Sequence, residues 1–257
     1  MTNLPLSLVV ITLNEQENIQ RCLKSVPFAQ DIIVLDSGST DRTREVAESM
    51  GARVFNEKWR GYYGQKVRAT ELAKHDWVLS LDADEALSSQ LIQEIQALFA
   101  GKNGELADGY EMARLSFHLG RWIRHGGWYP DRQIRLFHRQ RCQWRSGHLH
   151  ERVEGNNIAR AKGNLLHYVF KDLADQVETN NEYSSLGAKD LVAQGKAFIL
   201  IKLIFKPLLK FIETYIYNRG FLDGLPGFII AVGASYSLFL KYAKHWEMTS
   251  KKDLHHL

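Results

Sequence analysis

Short runs of aliphatic and β-branched residues alternate with helical patterns through the first hundred positions, and this alternation constrains the fold more than any other feature. Residues 6–11 (LSLVVI) read as a strand and Glu17 to Ser25 as a helix. A second apolar run spans Asp31 to Asp36; after it Ser39 or Thr40 is placed to cap a helix through Glu48, Gly51 to stop it, and residues 52–55 to form the next strand. The pattern repeats with a helix over Gly61 to Lys74, a strand over Asp76 to Leu81, and a helix capped by Ser88 or Ser89 that ends near Gly101. This order predicts an α/β fold, a Rossmann-like and mostly parallel sheet flanked by helices. Ligands of such sheets sit beyond the carboxyl ends of the strands. Two acidic clusters fall there, DSGSTD at residues 36–41 and DADE at residues 82–85.

With 45% apolar and 24% charged residues the chain has the make-up of a folded globular protein, not of a disordered or fibrous one. Its formal net charge of +4 suits a phosphate-bearing ligand or an anionic surface without calling for nucleic acid, and no nucleic-acid partner is expected. Cys22 and Cys142 have no CxxC spacing, so neither a disulfide framework nor a zinc knuckle is indicated. The N-terminal apolar run lacks a basic flank and is broken by Asn14 and Glu15, which reads as a strand and not a signal peptide; a cytoplasmic protein is expected. Neither GxxxxGK[ST] nor GxGxxG occurs, which removes the P-loop and dinucleotide classes.

Beyond residue 108 the texture changes. Gly109 to Phe117 and Gln133 to His138 read as strands joined by a loop rich in Gly, Trp and Arg, and this half is expected to build the other wall of the site. The expected division is one domain over 1–170, made of two halves (1–100 and 101–170), followed by a helical region over 171–257. Asp172 to Gln194 is a polar helical stretch. Ala197 to Tyr217 is apolar but carries Lys202, Lys206 and Lys210 on one helical face, the pattern of an amphipathic helix lying on an anionic membrane; packing in the core or in a dimer is the plainer alternative. Residues 227–240 are apolar too, yet shorter than the roughly 20 residues that crossing a bilayer requires.

In a strand-end DxD, alternation projects Asp82 and Asp84 to the same side. Two hard oxygen ligands suit Mg²⁺ or Mn²⁺, which keep waters and complete their shell with substrate phosphates, so the pair implies a diphosphate ligand whose departing charge the metal neutralises. A solvated acidic turn is the alternative for an isolated DxD. A haloacid dehalogenase-like phosphatase also places DxD after an apolar strand, but after the first strand and with Thr or Val where this chain has Ala86. Arg132 and Arg135 offer guanidinium groups for phosphate, with surface ion pairing equally open.

The succession VVITLNEQENI, DIIVLDSGSTDRT, GQKVRA and WVLSLDADE resembles family 2 glycosyltransferases of the GT-A fold. The resemblance implies nucleotide contacts from Thr12, Asn14, Glu15 and Asp36, leaving Asp41 to cap its helix. It also implies a diphosphate or nucleotide contact from Lys66, ahead of Arg68. Asp82 is then placed near the donor sugar or ribose and Asp84 on the metal. Members of the family invert the anomeric centre in one displacement, which needs a base within hydrogen-bond reach of the acceptor hydroxyl. The family's usual Glu-Asp pair is absent from the second half, and two candidates stand: Glu151 in SGHLHERV, and Asp131 in a loop beside aromatics. A salt bridge to a neighbouring Arg is the alternative role for each. His148, His150 and Glu151 lack the i, i+4 spacing of a helical zinc site. Trp122, Trp128 and Tyr129 are either a sugar platform or core.

WYPDRQIRLFHR, the His150–Glu151 pair and the basic, apolar C-terminal region with YNRGFLDGLPGF further resemble the bacterial heptose glucosyltransferases of lipopolysaccharide inner-core assembly. That resemblance implies a UDP-hexose donor, UDP-glucose foremost, and an acceptor heptose on the lipopolysaccharide core or another lipid-linked acceptor. The enzyme is then expected on the cytoplasmic face of the inner membrane as a peripheral protein.

Overall fold

The N-terminal alternation folds as β1 (Leu4–Thr12), α1 (Ile19–Lys24), β2 (Ala29–Asp36), α2 (Thr43–Ser49), β3 (Arg53–Asn56), α3 (Gly61–Glu71), β4 (Trp77–Asp82), β5 (Glu85–Leu87) and α4 (Ser89–Phe99). Next come β6 (Gly109–His118), β7 (Arg121–Ile123), β8 (Asp131–His138), β9 (Gln143–Arg145), β10 (Arg152–Glu154), β11 (Ile158–His167), α5 (Leu173–Ala193), α6 (Leu200–Ile212) and α7 (Gly224–Leu254). The computed structural model describes residues 3–101, 106–146 and 151–254. They divide into two units, Met1–Leu115 with Asp131–His167, and Ser116–Pro130 with Tyr168–Leu257.

In the first unit β3-β2-β1-β4 form a parallel half-sheet, continued by β8, β6, β11 and β5. The added strands enter antiparallel: β8 runs against β4 and β6, and β5 against β11. Strand alternation sorts β1 onto two cores. Leu6, Leu8 and Val10 bury against Ile19 and Cys22 of α1, Ala47 of α2 and Leu91 and Ile95 of α4, whereas Val9 packs with Ala69 of α3 and with Trp144 and Val153 of the β9–β10 pair. Helices thus cover both faces, and each fully buried aliphatic side chain contributes about 1.5–3 kcal/mol to that closure.

Local chemistry explains the helix boundaries. Ser88 caps α4 by accepting from the Leu91 N–H at 3.3 Å. The α2 helix begins at Thr43, later than a Ser39 or Thr40 cap would place it. Ser39 is instead drawn into hydrogen bonds with Asp36, and Asp41 accepts from the Thr43 N–H at 3.0 Å. Close approach fixes Gly163 on β11, since a Cβ there would stand 2.5 Å from the Leu91 backbone of α4. Glu94 of α4 completes the joint by accepting from the Lys162 and Gly163 N–H groups.

The second unit holds the tip of β6 with β7, the three C-terminal helices, a π turn over Glu213–Tyr217 and a 3-10 turn over Gly220–Asp223. Here Gly227 meets the Gly220 carbonyl so closely that a Cβ would lie 1.9 Å from it, which accounts for the glycines of RGFLDGLPG. Asp223 is buried and ties the loop before β8 by accepting from the N–H groups of Arg124 and His125 at 3.0 and 2.8 Å. The apolar stretch over 227–240 is not a short segment: α7 runs to Leu254, because Lys244 anchors its far end to Asn181, Ser184 and Ser185 of α5. With the preceding turn it is, by length and composition, the one helix among the described residues able to cross a membrane.

Candidate active site

Loops at the carboxyl ends of β1 and β2 interlock. Asp36 closes β2 fully buried, accepting from the Gly38 and Ser39 N–H groups at 3.0 and 2.9 Å and from the Thr12 hydroxyl at 3.1 Å. Asn14 holds a left-handed backbone (φ 56°), donates its N–H to the Ser39 hydroxyl and accepts from the Thr40 N–H at 2.9 Å. Glu15 donates its N–H to the Thr43 hydroxyl at 2.7 Å. The structure therefore brings Thr12, Asn14, Glu15 and Asp36 together as two braced loops, with Asn14 on the solvent side.

A charged cluster lies at the end of β4. The Lys66 ammonium, nearly buried on α3, stands 2.8 Å from Asp82 Oδ1 and 2.7 Å from Glu151 Oε1, with Trp144 under it at 5.6 Å. Arg68 points elsewhere, to Glu57 and Glu71. Arg135 Nη2 spans Asp82 Oδ2 at 2.5 Å and Glu85 Oε1 at 2.6 Å. It reaches them because β8 carries one extra residue there: Leu136 pairs with Tyr110 and Ile134 with Glu111, leaving Arg135 unmatched in a bulge. Burial alone would raise the Asp82 carboxyl, but Arg135 and Lys66 hold it well below the usual carboxylate range. Glu85 moves the other way, raised by burial and by the charge of Asp82 against the pull of Arg135.

Asp84 sits in a turn between β4 and β5, so strand alternation ends at Asp82 and does not pair the two aspartates as expected. Asp84 Oδ2 is instead 3.2 Å from His167 Nε2 at the end of β11, while its buried Oδ1 has no hydrogen-bond partner. An orphaned carboxylate oxygen beside an imidazole suits a divalent cation that takes its other ligands from water and phosphate. No group of three or more His, Cys, Asp or Glu poised for a metal occurs among the described residues.

Asp131 is not in a loop. It opens β8 opposite Arg114, whose guanidinium grips it at 2.5–2.8 Å and also lies 3.6 Å from Glu85. Arg132 is exposed. Residues 147–150, with His148 and His150, lie outside the described residues. The aromatics pack within the second unit, Trp122 against Phe117 and Tyr168 and Trp128 stacked on His118; Tyr129 lies under the Arg124 guanidinium. Two participants were missed in the sequence: Arg114 gave no motif of its own, whereas His167 left one signal, a polar ring closing the apolar end of a strand; Glu85 was seen only as the last residue of the DADE cluster, with no role given to it.

Residues 7–163 match the family model described as glycosyl transferase family 2. The lipopolysaccharide core biosynthesis glycosyltransferase LpsC of Rhizobium meliloti is 34% identical over 97% of this chain and 94% of its own length. A glycosyltransferase of Rickettsia typhi is 32% identical over 96% of this chain and 88% of its own. Among solved structures, glucosyl-3-phosphoglycerate synthase of Mycobacterium tuberculosis is 27% identical over 44% of this chain and 43% of its own, with a TM-score of 0.34, a likeness too partial to carry weight.

Proposed function

The chain belongs to glycosyl transferase family 2 and is a nucleotide-sugar-dependent glycosyltransferase, and on that premise we propose that it moves a hexose, glucose foremost, from a UDP-hexose onto a heptose of the lipopolysaccharide core. The observation that carries the site is the Lys66 ammonium held between Asp82 and Glu151. It joins the DxD carboxylate on the donor side to a second carboxylate that faces the same cation. Glu151 is the base that takes the acceptor hydroxyl proton as that oxygen bonds to the anomeric carbon and the bond to UDP breaks, inverting the centre. Asp131 is committed to Arg114 and serves structure.

Thr12, Asn14, Glu15 and Asp36 form the nucleotide loops, and Lys66 draws the diphosphate toward Asp82. Arg135 fixes Asp82 as an anion that accepts from donor hydroxyls; Arg132, free of the cluster, is left to the acceptor's phosphates. Asp84 and His167 would hold Mg²⁺ or Mn²⁺, which when bound supplies positive charge to the departing diphosphate. The lipopolysaccharide acceptor draws support from the name of the Rhizobium relative, and a lipid-borne acceptor places the enzyme peripherally on the cytoplasmic face of the inner membrane.

The test is transfer from a panel of UDP-, GDP- and ADP-sugars to heptose-terminated lipopolysaccharide with Mg²⁺ or Mn²⁺. UDP release that depends on acceptor, with mass gained by the lipopolysaccharide, is expected. Glu151→Gln should keep UDP binding and lose transfer by roughly 10²–10⁴-fold, and Asp84→Ala should lose the metal stimulation of UDP binding. Normal turnover in Glu151→Gln alongside its loss in Asp131→Asn would transfer the base to Asp131.

A further inference from the structure

We infer that the α6–α7 hairpin is a docking surface that lies in the plane of an anionic bilayer, and that α7 does not cross it. The inference rests on the lipid-borne acceptor proposed above and names the surface that meets the lipid.

A soluble helix packed on a core exposes its polar side. On α6 the exposed side is apolar: Ile201, Ile204, Phe205, Leu208 and Leu209 are each at least half exposed. At about 100° per residue these five fill one continuous arc, and Pro207, the one buried position of the helix, lies outside it. Lys202, Lys206 and Lys210 occupy the arc immediately beside the apolar one, on one flank only. That is the arrangement in which lysines reach headgroups while the neighbouring side chains enter the acyl boundary. The exposed stripe continues on α7, where Leu225, Phe228, Val232, Tyr236 and Phe239 recur every three or four residues.

Charge selects the occupant. Over residues 196–223 Lys196, Lys202, Lys206, Lys210 and Arg219 stand against two acids, of which Asp223 is buried and Glu213 is paired with Lys210 at 3.1 Å. The basic side has a seat as well. A cavity of about 120 Å³ at the start of α6 is lined by Lys196, Lys202, Tyr242 and His245, whose buried Nε2 lacks a hydrogen-bond partner in the described residues. Two lysines and an imidazole among the lining residues give this cavity a basic side suited to a lipid phosphate.

The long apolar α7 could suggest a span instead. Its other side is bound to α5: Lys244 donates to Asn181 Oδ1 at 2.6 Å and to the Ser184 and Ser185 hydroxyls at 2.8 and 2.7 Å, and Ser237 donates to the Asn180 carbonyl at 3.4 Å. Crossing would carry the charged α5 into hydrocarbon or strip these groups of their partners, and ionised side chains there are costly. Lying flat keeps every one of these bonds.

The test is flotation of the full-length protein with vesicles of phosphatidylcholine alone or mixed with phosphatidylglycerol, with no glycolipid or sugar donor present. Binding to the anionic vesicles only is expected, released by alkaline carbonate. Lys202→Glu with Lys206→Glu should lower the bound fraction about tenfold, and so should Phe205→Ser with Leu208→Ser, while melting temperature and UDP binding stay unchanged. Resistance to carbonate would make α7 a span, and a concentration-dependent dimer without vesicle binding would assign the surface to a second copy; either result overturns the inference. Because no acceptor is present, failure here leaves the transfer reaction standing, and failure of transfer leaves vesicle binding intact.

Discussion

Arg135 shows how far a single side chain can be committed. Its guanidinium holds two carboxylates, those of Asp82 and Glu85, in a site with little water to share the charge. Removing it leaves the buried Glu85 and the partly exposed Asp82 without their shared cation, and deleting one partner of a buried pair costs about 3–5 kcal/mol. Arg135→Met should therefore lower stability by that amount in urea denaturation, and Arg135→Lys should recover only part of it, because the compact, strongly hydrated ammonium has neither the reach nor the fixed planar fork of the guanidinium. Equal stability of Arg135→Met and the parent would show that Lys66 and Arg114 already balance the cluster. Much of this was legible as residue type: Lys66, Asp82, Asp84, Arg135 and Glu151 were each singled out from the chain. Their partnerships were not, because ion pairs such as Lys66 with Glu151, or Asp84 with His167, join strands and helices that sequence distance separates.

Among the elements, α4 and β11 meet through backbone and not through side chains, and this makes Gly163 a sensitive position. An added Cβ would stand 2.5 Å from the Leu91 Cα, which no rotamer change relieves. Gly163→Ala should push α4 off β11, stretch the bonds from Glu94 to the Lys162 and Gly163 N–H groups, and cost about 1–3 kcal/mol. Hydrogen exchange at those two amides should rise with it; unchanged protection would mean that the joint accommodates the methyl. The parallel strands were readable because apolar runs of β-branched residues have few other uses. The short β7, β9 and β10 were not, since three residues carry no period, and α7 was read short because its polar half is defined by bonds to α5 that the chain does not announce.

At the scale of the whole molecule, acid should weaken the two units at different points. In the second unit His118 is almost fully buried; burial lowers its affinity for a proton from the ordinary value of 6.5, against the raising effect of its 2.9 Å hydrogen bond to Gln176. The folded chain then binds fewer protons there than the unfolded one, so stability falls as pH drops through the ordinary histidine range toward the lowered value. In the first unit Asp31 would be raised by burial, but Arg53, the Lys74 N–H and the Ser7 hydroxyl together hold it below its ordinary 3.8. Its contribution, like that of Asp82, is present above that value and is lost as pH falls through the lowered one. Glu85 has the opposite sign: its raised carboxyl takes up a proton in the folded state first, which offsets part of the loss between the two stages. The melting temperature should accordingly fall in two steps between neutral pH and strong acid, a first below 6.5 and a second below 3.8. Replacing His118 by Gln should remove the first step and leave the second. A single transition unaffected by that replacement would mean that protonation of His118 does not weaken the second unit, and that the carboxylates of the first unit set the acid limit of the whole chain.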